Sequence, residues 1–151
     1  MCFNNKHYDK SILSFTIGTD SGDHLTIYIH SAAKSTHRYY DWVDVQIRVE
    51  AGSFTGMFYA SLQVHDFVYL RSEFNRLYND LTGLMKFEAQ EEQLYLEIIG
   101  DGKGHFEANC VARDKAGMGN KLEFALSFDQ TFIPPILRDL DKIITQYPAV
   151  N

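Results

Sequence analysis

The fold is decided by residues 43–81, which read VDVQIRVEAGSFTGMFYASLQVHDFVYLRSEFNRLYNDL. On either side of Ala51-Gly52-Ser53, apolar and polar side chains alternate, and this alternation is typical of strands with one buried face. From Asp66 onward, apolar residues recur at steps of three and four, which is the spacing of one face of an α-helix. The stretch therefore predicts a β-hairpin followed by an amphipathic helix.

The boundaries of this helix can be predicted from its flanking residues. Asp66 is expected to be the N-cap, because a short carboxylate accepts a hydrogen bond from an amide that has no partner inside the helix. Thr82-Gly83 is expected to end the helix. The strand before it is predicted to bury the apolar set Phe54, Phe58, Ala60, Leu62 and Val64.

The same alternation continues on both sides of the deciding stretch. An earlier hairpin is predicted from residues 13–17 and 25–29, and four further strands are predicted between residues 85 and 128. A second helix follows, with Pro134 and Pro135 in its first turn, and ends before Pro148. The order is four strands, a helix, four strands and a helix, which hints at an internal duplication.

This pattern predicts the fold class. Each strand has one apolar face and each helix one apolar stripe, so both helices must dock on antiparallel sheet. We expect an α+β fold of about eight antiparallel strands in a curved sheet or a sandwich, with two amphipathic helices; a barrel also fits the pattern. At 151 residues and without a linker, the chain is expected to form a single domain over residues 1–151.

Charge and the chain ends restrict the partners. The net charge of -6 repels phosphate backbones and anionic membranes, so neither nucleic acid nor a membrane is an expected partner. The first residues lack the apolar run of a secretion signal, and no apolar stretch is long enough to span a bilayer. Cys2 and Cys110 are expected to be reduced thiols, and the predicted compartment is cytoplasmic.

The residue patterns that carry chemistry favour structural roles. Gly100-Asp101-Gly102-Lys103-Gly104 leads into a strand rather than a helix, so we expect a hairpin turn and no phosphate or calcium site. Six histidines show no metal-ligand spacing, and Cys110 lies on a buried strand face. His65 beside Asp66 would be an acid and base couple only if Asp66 were not a cap. No catalytic residue, metal or cofactor is predicted, although an enzyme whose carboxylates and histidines converge from distant positions stays open.

Binding residues are a stronger prediction. Tyr39-Tyr40-Asp41-Trp42-Val43-Asp44 places aromatic rings beside carboxylates, a combination that is typical of binding surfaces. The alternative is that Trp42 only covers the edge of the sheet. A negative face is also expected over two adjacent hairpins, from Glu88, Glu91, Glu92, Glu97, Asp101 and Glu107.

From about Tyr39 to its end, the chain resembles the WapI-like immunity proteins of bacterial contact-dependent and polymorphic toxin systems. The most specific elements are Phe128-Asp129-Gln130-Thr131 followed by Pro134, and the terminal Tyr147-Pro148. Pro135 and the first 38 residues depart from the family pattern. The other matching stretches are Asp41-Trp42-Val43-Asp44-Val45, Gly52-Ser53-Phe54-Thr55-Gly56, Gly83, Phe87-Glu88, Leu94-Tyr95-Leu96, Gly100-Asp101-Gly102-Lys103-Gly104-His105, Gly119-Asn120 and Leu122-Glu123-Phe124.

The resemblance implies a small cytoplasmic protein, a monomer or a dimer, that binds a cognate toxin domain and catalyses no reaction. Nuclease toxins tend to be basic, so an acidic inhibitor would act by occlusion and charge complementarity. A non-catalytic β module that binds a small ligand is the alternative, because the chain has 21 aromatic residues and curved sheets can enclose cavities. The residues expected to contact the toxin are Tyr39, Tyr40, Asp41, Trp42, Asp44, Glu91 and Glu92.

Overall fold

The computed structural model describes residues 12–19, 22–32 and 42–148, so the predicted contact residues Tyr39, Tyr40 and Asp41 lie outside the described residues. Two helices are present in these ranges, α1 (Val64–Asp80) and α2 (Ile133–Gln146), and a single 3-10 turn, Gln130–Phe132, precedes α2. The strands are β1 (Ser14–Gly18), β2 (His24–Ala32), β3 (Trp42–Ala51), β4 (Phe54–Gln63), β5 (Thr82–Glu88), β6 (Leu94–Asp101), β7 (His105–Lys115) and β8 (Met118–Asp129).

The strands of the described residues form two antiparallel sheets, in the orders β1-β2-β3-β4 and β5-β6-β7-β8. The predicted α+β class and the predicted order of strands and helices are confirmed. Within the described ranges neither sheet closes on itself, so the arrangement is two sheets and not one bent sheet or a barrel. Each half of the chain contributes four consecutive strands and the helix that follows them.

The core lies on the faces of the strands that the alternation predicted to be apolar. Val43, Val45, Ile47 and Val49 of β3 are buried, while Asp44 between them is exposed. Burying an aliphatic or aromatic side chain of this size contributes about 1.5–3 kcal/mol. The apolar stripe of α1 joins the same core through Phe67, Leu70, Phe74 and Leu77, and that of α2 joins it through Ile133, Ile136, Leu140 and Ile143.

Polar contacts fix α1 against the second sheet and against α2. Arg76 donates a hydrogen bond to the carbonyl oxygen of Leu84 on β5, at 2.8 Å. The guanidinium of Arg71 on α1 lies 3.0 Å from the carboxylate of Asp141 on α2. The two helices, one from each half of the chain, are therefore tied to each other as well as to the sheets.

The start of α1 differs from the prediction. Gln63 is the N-cap and Val64 is the first helical residue, so the placement of Asp66 at the N-cap and of Val64 in the strand was wrong. Asp66 occupies the third helical position, and its carboxylate accepts a hydrogen bond from the backbone N–H of Gln63, at 2.8 Å. The carboxylate thus caps the helix as expected, but it reaches back from inside the first turn.

The end of α1 also differs from the prediction. The terminating residue is Leu81, which adopts a left-handed conformation with φ of 59° and donates its N–H to the carbonyl of Leu77. Thr82 and Gly83, which were expected to end the helix, already belong to β5. The carbonyl of Leu81 accepts a hydrogen bond from Gly102, at 2.8 Å, so the turn between β6 and β7 satisfies the helix end.

Candidate functional site

Two of the predicted contact residues lie on the same face of β3. Val43 and Val45 point into the core, so Trp42 and Asp44 point away from it, with Trp42 half-buried and Asp44 exposed. Asp44 lies opposite Ser61 of β4, and the hydroxyl of Ser61 donates a hydrogen bond to Asp44 Oδ1, at 3.2 Å. This bond holds one oxygen of the carboxylate in place at the sheet surface.

The other two described contact residues, Glu91 and Glu92, lie in the turn between β5 and β6. Glu92 is exposed and has a left-handed backbone with φ of 60°, and its N–H donates to the carbonyl of Ala89, at 2.9 Å. Glu91 is half-buried. The turn belongs to the second sheet, whereas Asp44 belongs to the first.

Asp44 and Glu91 line one groove, with a volume of about 500 Å³. The structure thus brings together two of the predicted residues, one from each sheet. Trp42 and Glu92 do not line this groove. Its other lining residues, which sequence reasoning missed, are His30, Tyr59, Ala60, Ser61 and Gln93.

Gln93 closes the base of the groove and connects the sheets. Its side chain is buried, with an exposed fraction of 6% for the residue. Nε2 donates to the carbonyl oxygen of Tyr59 on β4, at 3.1 Å, and to that of Arg113 on β7, at 3.2 Å. Since β4 is the edge strand of its sheet in the described residues, this amide satisfies an edge carbonyl that has no neighbouring strand.

The aromatic wall of the groove consists of Tyr59 and His30. Tyr59 is 65% exposed, and the centroid of its ring lies 5.4 Å from that of His30 in an edge-to-face arrangement. His30 lies where the register between β2 and β3 shifts, between Ile29 and Ser31. Such a bulge redirects a side chain on the sheet surface. The alternation of β4 was a signal for Tyr59 and Ser61, because both fall on the face opposite to Ala60 and Leu62.

A second groove, of about 330 Å³, lies between the start of β4 and the β7–β8 hairpin. Phe54 lines it and is 66% exposed, so the expectation that Phe54 is a core residue was wrong. Phe54 starts an edge strand at the end of the sheet, where the core residues of the other strands no longer cover it. Its neighbours in the groove include Phe58, Ala112 and Leu122, with Asp114 and Lys121 among the polar residues that also line it.

The acidic residues of the second sheet are spread among other side chains. Registers place Glu88, Glu97 and Glu107 on the outer face of β5, β6 and β7, but Lys86 lies directly opposite Glu97. Tyr95 donates a hydrogen bond to Glu97, and this bond raises the pKa of the Tyr95 phenol. Leu84 and Ile99, which pair across β5 and β6, are both exposed on the same face. The face is mixed rather than uniformly negative.

The turn from Gly100 to Gly104 has the predicted structural role. Asp101 Oδ1 accepts hydrogen bonds from the backbone N–H groups of Lys103, at 2.7 Å, and His105, at 3.1 Å. These two hydrogen bonds lower the pKa of the Asp101 carboxyl, and the bond from Lys103 has the larger effect. The loop is the β6–β7 hairpin turn, as expected.

Cys110, His65 and Asp66 do not line this groove, whereas one histidine and two carboxylates, His30, Asp44 and Glu91, do. Burial raises the pKa of the Cys110 thiol to about 12, so Cys110 is protonated at neutral pH. His65 is exposed at the start of α1, and desolvation raises the pKa of the neighbouring Asp66. Among the described residues, no group of three His, Cys, Asp or Glu side chains is arranged to hold a metal ion. None of the described helices is long and apolar enough to cross a membrane.

The fold is an α+β arrangement of antiparallel sheets, with an open surface groove that is lined by two carboxylates. The model of the Immunity protein WapI-like family matches residues 16–148, and the chain belongs to that family. Membership of an immunity family implies that the chain binds a cognate toxin, and such families are generally non-catalytic. The family resemblance seen in the sequence is therefore confirmed, and the match begins at residue 16, so the expectation that all of the first 38 residues depart from the family was wrong.

No curated protein matches the sequence. The fold is similar to a solved structure described as the crystal structures of Trypanosoma bruciei MRP1/MRP2, with 13% sequence identity and a TM-score of 0.49 over 90% of this chain and 84% of that chain.

Proposed function

We propose that this protein binds the catalytic domain of a cognate nuclease toxin and neutralises it by occlusion and charge complementarity, without a reaction of its own. The observation that carries the proposal is the groove that Asp44 and Glu91 share. Family membership supports the toxin as partner, and the net charge of -6 supports a basic one. We further propose that residues 1–151 act as a single domain in the cytoplasm, where a nuclease toxin would reach its substrate.

The proposed contact surface is the outer face of β3 and β4 together with the β5–β6 turn. Trp42 and Asp44 share this face, Glu91 lines the groove beside it, and Glu92 follows Glu91 in the same turn. Tyr39, Tyr40 and Asp41 directly precede Trp42 in the chain, and we include them as contact residues on that ground. The exposed ring of Tyr59 adds the rigid aromatic area that protein interfaces favour.

Charge complementarity would act mainly on the rate of association. An acidic surface attracts a basic toxin before contact and can raise the association rate from about 10⁵–10⁶ to 10⁸–10⁹ M⁻¹s⁻¹ at low salt. Exposed charges are screened beyond about 8 Å at physiological ionic strength, so this gain falls as salt is added. Aromatic contacts made after docking would slow dissociation and are less sensitive to salt.

The first test asks whether the chain protects cells. The chain is expressed together with the carboxyl-terminal domain of a candidate toxin, which we expect to be encoded directly upstream, and survival is counted. We expect rescue by the full chain. Death of the cells despite soluble expression of both proteins would contradict the proposed function.

The second test asks whether the groove is the contact surface. Association rates with the toxin domain are measured at low and high salt for the double variant Asp44→Lys, Glu91→Lys. We expect a fall of at least tenfold at low salt and a smaller fall at high salt. The matched control is Glu88→Lys, Glu107→Lys on the outer face of the second sheet, which changes the net charge equally. Equal falls for the two double variants would show that net charge alone matters and would remove the groove from the contact surface.

The groove at Phe54 favours a second candidate function, the binding of a small apolar ligand. Gly56 lines this groove, and a side chain added there would meet open space. Nile red, an uncharged apolar dye, is titrated into the wild type and into Gly56→Phe. Saturable fluorescence in the wild type and its loss in Gly56→Phe would support this function, whereas equal fluorescence in both proteins would dismiss it.

A further inference from the structure

We infer that the groove lined by Asp44 and Glu91 is a receptor for a guanidinium group, an arginine side chain that the toxin inserts between β4 and the β5–β6 turn. The inference rests on the proposed function for the source of the arginine. The chemistry of the groove is independent of that source, because it follows from the side chains that line it.

The groove presents carboxylate oxygens that lack a donor. Ser61 occupies Oδ1 of Asp44, and no described group donates a hydrogen bond to Oδ2. Neither carboxylate oxygen of Glu91 has a donor or a cationic partner within residues 12–19, 22–32 and 42–148. Among these described residues, no lysine or arginine lines the groove. Two carboxylates thus line one open space, and the described part of the chain places no lysine or arginine beside them.

Gln93 provides independent support for a ligand. Its Nε2 lies near two carbonyl oxygens, at 3.1 and 3.2 Å, and a flipped amide would put Oε1 against those oxygens instead. The orientation of the amide is therefore fixed, and Oε1 receives no hydrogen bond from any described group. An acceptor oxygen of a side chain that is buried to this extent normally has a donor, and no described group supplies one to Oε1.

The free oxygen of Gln93 is accessible to solvent. Some side-chain nitrogen and oxygen atoms in the described part of the chain are completely shielded from solvent. Each of these shielded atoms, in residues that are not exposed, has a hydrogen-bond partner. Oε1 has none, so it is not sealed, although the residue is only 6% exposed. Since Gln93 lines the groove, a ligand that enters it can donate to Oε1.

The combination of these groups favours a guanidinium over other cations. A guanidinium is planar and has five N–H donors, which match several acceptors spread over the walls of a groove. Its flat face also stacks on aromatic rings, and the exposed ring of Tyr59 stands in the wall beside His30. An ammonium is a compact point charge, and a metal ion needs a closer cluster of ligands than the described residues contain.

The test uses the full chain and three small probes. N-acetyl-L-arginine amide, the lysine analogue and the citrulline analogue, which has the shape of arginine without its charge, are titrated separately, and the side-chain NH₂ signal of Gln93 is followed by NMR. We expect a saturable shift at Gln93 and Ser61 with the arginine probe, and binding at least tenfold weaker with the other two. Equal binding of arginine and citrulline, or of arginine and lysine, would overturn the inference.

Variants of the residues that line the groove provide a second test. Asp44→Asn, Glu91→Gln should weaken arginine binding at least tenfold, because the shape is kept and both charges are lost. Glu88→Gln, Glu107→Gln on the other sheet loses the same charge and should bind arginine like the wild type. Equal weakening in both double variants would overturn the site.

Failure of the inference and failure of the proposed function give different results. Cells rescued from the toxin by a chain that binds no arginine probe would leave the proposed function standing and overturn the inference. Arginine binding by a chain that rescues no cells would support the guanidinium site and overturn the toxin as the source of the arginine.

Discussion

Gln93 Nε2 lies 3.1 Å from the carbonyl oxygen of Tyr59, and this hydrogen bond joins the second sheet to the edge strand of the first. A second bond from the same nitrogen reaches the carbonyl of Arg113 on β7. The backbone of Gln93 is also paired, because its carbonyl accepts from the N–H of Arg113, at 2.9 Å. One buried amide in the β5–β6 turn therefore holds two strands, β4 of one sheet and β7 of the other, at the groove.

Replacement of Gln93 by leucine should destabilise the protein. Gln93→Leu keeps a similar volume but leaves two partly buried carbonyl oxygens without a donor, which costs about 1–3 kcal/mol of unfolding free energy. Urea denaturation measures this change. The control is Gln90→Leu in the same turn, where the side chain is exposed and the change should stay within about 0.5 kcal/mol. Equal stabilities of the two variants would show that the amide does not hold the sheets together.

Gly100 and Gly56 are strand glycines with opposite surroundings. A Cβ on Gly100 would lie 2.6 Å from the carbonyl oxygen of Leu81 and 2.9 Å from the ring of Phe106, whereas a Cβ on Gly56 would contact nothing within 4 Å. Gly100→Ala should therefore lower the unfolding free energy by about 1–3 kcal/mol. Gly56→Ala should leave it unchanged or raise it by up to about 1 kcal/mol. Thermal unfolding of both variants checks the pair, and a loss of stability in Gly56→Ala as large as in Gly100→Ala would contradict it.

The strands and helices could be predicted because the spacing of apolar residues can be seen within each short stretch of sequence. Alternation identified the strands, and the change of spacing near Asp66 identified α1. The boundaries were less accurate, since Asp66 caps the helix from its third position and Leu81, not Thr82-Gly83, ends it. The sequence could not show that position 100 requires glycine. The requirement arises because the residue that ends α1, Leu81, packs against Gly100 on β6.

The candidate site was predictable only in part. Asp44 and Glu91 were selected separately as acidic residues beside aromatic or turn residues, but their meeting in one groove depends on how two sheets are placed. His30 has no sequence signature for its bulge. In the sequence, Gln93 cannot be distinguished from an exposed glutamine in a turn. Its role depends on hydrogen bonds to carbonyl oxygens of two strands that are distant in the sequence. Whether Trp42 and Glu92 contact a toxin stays a prediction.

The buried thiol of Cys110 should make stability depend on pH in the alkaline range. Burial raises its pKa to about 12, whereas an unfolded cysteine titrates near about 8.5. The folded state thus holds the proton more tightly, and the stabilisation is complete below about pH 8 and is lost as the pH rises toward 12.

The measurement compares the unfolding free energies of the chain with Cys110 and of Cys110→Ala, both in a Cys2→Ser background, from pH 7 to 11. Their difference should be constant up to about pH 8 and then shrink by at most about 1.4 kcal/mol per pH unit, since only one of the two proteins has the thiol. Parallel curves over the whole range would show that the thiol does not titrate with a raised pKa.

The ion pair between Arg71 and Asp141 should couple the two helices weakly. Both side chains are partly exposed, 38% and 56%, so solvent screens the attraction and a coupling of about 0.2–1 kcal/mol is expected. A double-mutant cycle measures it, with Arg71→Ala, Asp141→Ala and the double variant. The coupling should fall at 1 M NaCl, where charges are screened within about 3 Å.

A reference cycle separates the interhelical pair from an ordinary pair within one helix. Arg76 and Glu73 form an i,i+3 pair on α1, at 3.0 Å, and their coupling is expected to be about 0.2–0.5 kcal/mol. Because Arg71 and Asp141 belong to helices from opposite halves of the chain, their coupling requires both helices to be docked when the protein is folded. A coupling of zero at low salt, with normal coupling between Arg76 and Glu73, would contradict the prediction that this ion pair links the two helices in solution.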